Sequence, residues 1–117
     1  MVSMDNCNSF EHERIRNKIV SSKDYNKLVI DVSKIFSLLG EPARMKIVLA
    51  LTGGELCVYH ICEITGGKQS ATSQHLKKLK EGGVVKCRKL SNQVLYSISD
   101  EHVLEIVKMA MEHTKCL

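Results

Sequence analysis

Three glycine pairs, Gly53-Gly54, Gly66-Gly67 and Gly82-Gly83, cut the middle of this chain into helix-length segments. Glycine is costly inside a helix and readily takes the left-handed backbone that ends one, so each pair is a stop signal. From Asn26 to Leu39 the apolar residues Leu28, Val32, Ile35, Phe36 and Leu39 recur at helical spacing, and Gly40 ends the run. Pro42 fits the first turn of a second helix, Glu41 to Leu51, where its missing N–H would be unpaired anyway. A third helix is predicted over Glu55 to Thr65, with Val58, Ile61, Cys62 and Ile64 as its apolar residues. Ser70 suits the N-cap of a fourth, Ala71 to Glu81.

Two short helices joined by a tight glycine turn make a helix-turn-helix, whose second helix ordinarily enters a DNA major groove. The chain then changes period. Val84 to Leu90 and Gln93 to Ser99 are β-prone runs with Ser91-Asn92 between them as a turn, which predicts a hairpin, or wing. A last helix from about Asp100 to Lys115 is expected to bury Val103, Ile106, Val107 and Ala110 on one face. Residues 1–25 lack sustained periodicity and read as an arm, with a short helix around Glu11 to Val20. The expected fold is therefore mainly α with a β-hairpin wing, a winged helix-turn-helix over residues 26–117 after an N-terminal arm.

No stretch approaches the roughly 20 consecutive apolar residues of a membrane span. The polar opening from Met1 to Arg16 has no hydrophobic signal core, so a cytoplasmic protein is expected. Five cysteines, Cys7, Cys57, Cys62, Cys87 and Cys116, are an odd set for a disulfide framework and read as reduced thiols.

The net charge is only +4, but it is unevenly placed. Between Lys68 and Lys89 stand seven basic residues against Glu81 alone, which is the footprint expected for phosphate contacts. The fourth helix offers Gln69, Ser70, Thr72, Ser73, Gln74, His75, Lys77 and Lys78, hydroxyls, amides and cations suited to base edges and phosphates. The hairpin adds Arg88, Lys89, Asn92 and Gln93 for the neighbouring backbone or minor groove. A capping role for Ser70 and a purely solvating role for the lysines is the plainer alternative.

In the last helix, Asp100, His102, His113 and Cys116 are all plausible metal ligands. His102 and His113 share a face but stand roughly 16 Å apart along the axis, too far for one ion whose bonds are about 2.0 to 2.3 Å. The geometry closes if two copies of the helix pack antiparallel. His102, Ile106, Met109, His113 and Cys116 follow a 4-3-4-3 spacing that forms one contact seam. A twofold axis near position 108 sets His102 opposite the mate's His113 and Asp100 opposite its Cys116, giving two identical sites per homodimer. A carboxylate, two imidazoles and a thiolate form a tetrahedral set suited to zinc or cobalt, with cadmium admitted by the sulfur. Taken singly, the four residues read as a helix cap, two surface histidines and a frayed thiol.

Across roughly Asn26 to Cys116 the sequence resembles the ArsR/SmtB family of metal-sensing bacterial repressors. The resemblance runs through Leu39-Gly40-Glu41-Pro42-Ala43-Arg44, Glu55-Leu56-Cys57-Val58, Gln69 to Leu79 and Tyr96-Ser97-Ile98. It implies a winged-helix homodimer that holds operator DNA until a metal arrives, zinc first, with cobalt or cadmium as alternatives. The family's Asp-X-His pair and later His fall here on Asp100, His102 and His113, whereas Cys116 stands where His or Glu is commoner. A second family site is similar to Glu55-Leu56-Cys57-Val58-Tyr59-His60, with Tyr59 where a second Cys is usual. By that resemblance Cys57 and His60 would join Cys7 and His12 of the partner's arm. Rival readings are a thiol or persulfide sensor of the same fold and a winged-helix protein-interaction module; no substrate-pocket or oxyanion motif accompanies Cys57 and His60, so an enzyme is not expected.

Overall fold

The computed structural model describes residues 9–19 and 24–116. The chain divides into two units, residues 1–33 and 34–117. The first holds helix α1 (Ser9–Ile19), with a surface ion pair of Arg14 and Glu11 at 2.7 Å, and the opening turns of α2 (Tyr25–Leu39). The second begins in the later turns of α2. It continues through α3 (Pro42–Leu51), β1 (Leu56–Cys57), α4 (Val58–Thr65), α5 (Gln69–Glu81), β2 (Val85–Leu90), β3 (Gln93–Ile98) and α6 (Glu101–Thr114). Among the described residues no helix is long and apolar enough to cross a membrane.

One apolar cluster holds the second unit together. Ile47, Val48 and Leu51 of α3, Ile61 of α4 and Leu76 and Leu79 of α5 are buried with Leu39, Val84 and Val85. Burying each such aliphatic side chain contributes about 1.5–3 kcal/mol. Helix α6 closes the cluster with Val103 and Val107, one turn apart. Ile106 and Ala110, expected on that buried face, are exposed instead, because a helix seated on one side of a core buries a narrow i, i+4 stripe.

The β structure exceeds the expected hairpin. Leu56 and Cys57 were expected inside a helix over Glu55 to Thr65; they form β1, and the helix starts only at Val58. Strand β1 pairs antiparallel with β3, Leu56 against Tyr96 and Cys57 against Leu95, and β3 pairs with β2 from Val85–Ile98 to Leu90–Gln93. The sheet order is β1-β3-β2. Ser91, in the tight turn, takes φ 58°, the left-handed backbone such two-residue turns require.

Helix α5 starts at Gln69, with Lys68 rather than Ser70 at the N-cap and no side-chain cap there. The turn before it depends on glycine twice. Gly66 ends α4 at φ 76°, and a Cβ on Gly67 would lie 2.9 Å from Thr72 Oγ1.

Candidate nucleic-acid interface and metal centre

Helix α5 has two faces, and its sequence decides which residue goes to which. Thr72, Leu76 and Leu79 fall at i, i+4 and i+7 and point into the core. Thr72 is only 3% exposed, so its hydroxyl, expected to face DNA, is turned to the Gly67 turn and is withdrawn from a groove. Gln69, Ser70, Ser73, Gln74, Lys77 and Lys78 are exposed, and His75 is half-buried beside Lys46 and Ala43 of α3. The amides and hydroxyls at the start of α5 therefore form one outward surface, followed by cations in the last turns.

The element beneath is fixed by a charged cap. The Glu41 carboxylate accepts from the N–H groups of Ala43 (3.1 Å) and Arg44 (3.0 Å), which holds it below the usual carboxylate range. The Arg44 guanidinium donates to the carbonyls of Leu38 (2.9 Å) and Ser37 (3.2 Å), tying the end of α2 to the start of α3.

On the wing, Lys89, Asn92 and Gln93 are exposed, but Arg88 is engaged. Its Nε and Nη2 meet Glu55 Oε2 at 2.6 Å and Oε1 at 2.7 Å in a forked pair. The Arg88 hydrogen bond is the main cause holding the Glu55 carboxyl below its ordinary range, with Lys86 adding to it. Sequence reasoning missed Glu55, since an opposite charge 33 residues away leaves no local pattern.

Helix α6 places the four proposed ligands at its two ends. Asp100 is its N-cap, Oδ1 accepting from Val103 N–H at 3.0 Å, and the same oxygen lies 3.8 Å from His102 Nδ1. His102 is 90% exposed, and His113 and Cys116 are exposed in and just beyond the last turn. Between them Ile106 and Met109 are 37% and 71% exposed. They line a groove of about 920 Å³ that includes Phe36, His102, Glu105 and Glu112. At the second candidate site the chain brings two residues together: buried Cys57 Sγ is 3.3 Å from His60 Nδ1. His12 is on the exposed surface of α1, and Cys7 lies outside the described residues. Cys62 and Cys87 are half-buried free thiols. Among the described residues of one chain, no group of three or more His, Cys, Asp or Glu stands together in a way that could hold a metal.

A helix-turn-helix whose second helix is polar outward and apolar inward, followed by a basic antiparallel hairpin, defines a winged helix-turn-helix domain of the DNA-binding kind. Residues 41–86 match the family described as "Bacterial regulatory protein, arsR family", and the chain belongs to that family, one of transcription regulators and not of enzymes. It is 39% identical over 87 residues to a cadmium resistance transcriptional regulatory protein CadC homolog of Staphylococcus aureus, covering 74% of this chain and 72% of the relative. A transcriptional repressor SmtB homolog of Synechocystis is 32% identical over 70% of this chain, which spans 62% of that relative's length. Among solved structures, the homodimeric winged helix-turn-helix DNA-binding domain of a possible ArsR-family regulator from Mycobacterium bovis superposes with a TM-score of 0.75. It shares 26% identity, over 80% of this chain and 87% of that one.

Proposed function

We propose that this chain is a metal-responsive repressor that binds operator DNA as a homodimer through α5 and the wing and releases it when zinc binds between the two α6 helices. The single observation that carries the reading is the outward face of α6. Its core contact is made by Val103 and Val107, so Ile106 and Met109 are left bare between two pairs of ligand side chains. Exposed apolar residues flanked by polar ones mark an association surface. The homodimeric M. bovis neighbour and the metal-resistance name of the S. aureus relative agree with it.

The donor set fits zinc by its chemistry. Asp100 and His102 already approach each other, and the cap uses one carboxylate oxygen of two. Asp100 and His102 of one helix with His113 and Cys116 of its mate would hold the ion, with cobalt or cadmium as alternative effectors. Bound there, the metal supplies a rigid cross-link between two helices that are otherwise held by Ile106 and Met109. Fixing that pair shifts the attached α5 helices out of register with successive major grooves, and by linkage DNA weakens metal affinity as much as metal weakens DNA affinity. Cys57 and His60, with Cys7 and His12 of the partner's arm, form the candidate second site.

Calorimetric titration of zinc into the wild type and His113→Ala, with DNA binding followed in parallel, tests the reading. About two ions per wild-type dimer are expected, and about four if the arm site also fills. An unchanged metal response in His113→Ala rejects the α6 site.

A further inference from the structure

The fork between Glu55 and Arg88 differs in kind from the other surface ion pairs. Arg14–Glu11, Lys27–Asp31 and Lys115–Glu112 join neighbours on one helix, whereas this pair ties the loop before β1 to the middle of the wing strand β2. A guanidinium fork recognises a carboxylate and a phosphate with the same parallel N–H···O geometry. We propose that Glu55 stands in for a DNA phosphate against Arg88, so that its carboxylate competes with the duplex and limits how tightly the wing holds it. The pair is open to solvent, Arg88 at 56% and Glu55 at 36%, and such pairs exchange readily for another anion. Glu55 also lies close enough to Lys86 to feel its charge, so its single carboxylate interacts with two of the three cations of β2. While the fork is closed, Arg88 adds no net charge for a phosphate to neutralise, and no counterion is released on its account. Once it opens toward DNA, the wing gains one phosphate contact.

This inference rests on the DNA-binding reading above, and its test separates the two. The probe is a labelled mixed-sequence duplex of about 30 base pairs, three helical turns, titrated by fluorescence anisotropy across a salt series. Four proteins are compared: wild type, Glu55→Gln, Arg88→Gln and the double variant, each checked by circular dichroism and thermal melting. Glu55→Gln is expected to bind about three-fold tighter at low salt and to steepen the log–log salt slope by about one per wing engaged. In the Arg88→Gln background the same change should do nothing. If Glu55→Gln fails to fold, Glu55→Asp, too short to close the fork, should show the same direction at smaller size. Glu55→Gln binding no tighter, or gaining equally with and without Arg88, overturns the competition while leaving a salt-steep wild type as a DNA binder. A wild type without steep salt dependence overturns both.

Discussion

At the scale of single residues, position on a helix decides more than chemical type. Thr72 and Ser73 are adjacent hydroxyls in α5, yet one is buried with Leu76 and Leu79 and the other is exposed. The stripe that buries Thr72 is visible in the sequence once its period is followed past the hydroxyl. Glu41 shows the same dependence at an N-terminus, where its carboxylate meets two backbone N–H groups. Its pKa is depressed in the folded chain, so its contribution is fully present above the unfolded-state value and is lost as pH falls through the lower, folded one. Glu41→Gln should therefore lower the melting temperature by a few degrees at neutral pH. The gap to the wild type should close as the solution is acidified below the carboxylate range, as followed by thermal melts across a pH series.

At the scale of elements, the turn between α4 and α5 is a joint whose backbone demands glycine. Gly66 holds φ 76° with open space where a Cβ would stand, so Gly66→Ala tests backbone cost alone. It should destabilise the domain by about 1–2 kcal/mol in chemical denaturation, and Gly66→Asn by less, since Asn visits the left-handed region more readily. Helices α2, α3 and α6 were legible because apolar spacing and stop residues agree with each other there. Strand β1 was not, because two residues carry no period and Val58, Ile61 and Cys62 impose a helical one on the whole segment. Leu56 and Cys57 become strand only through β3, a partner some 40 residues away that no local window contains. The start of α5 was misplaced for a related reason: Ser70 is a good cap by type, but Lys68 precedes the helix and Thr72 N–H bonds back to its carbonyl at 2.9 Å.

At the scale of the molecule, the proposed assembly depends on α6 meeting its copy. Met109→Glu, or Ile106→Glu, would place like charges at the centre of that seam without entering the core of one chain. Sedimentation should find either variant monomeric, with thermal stability of the isolated fold little changed and DNA affinity sharply reduced; a persistent dimer would place the interface elsewhere. The spacing of α6 suggested the proposed ligand set and Asp100 as its cap, and the structure shows the cap, whereas Arg88's partner emerged only in three dimensions. The shortness of β1 carries one more consequence. Both residues of that strand are fixed by what they face, so one amino acid added between Gly54 and Leu56 would turn the pleat over, taking leucine off the apolar cluster and drawing the preceding carboxylate off the wing. Among descendants of this chain, length changes should collect at other loops, and this linker should keep its count.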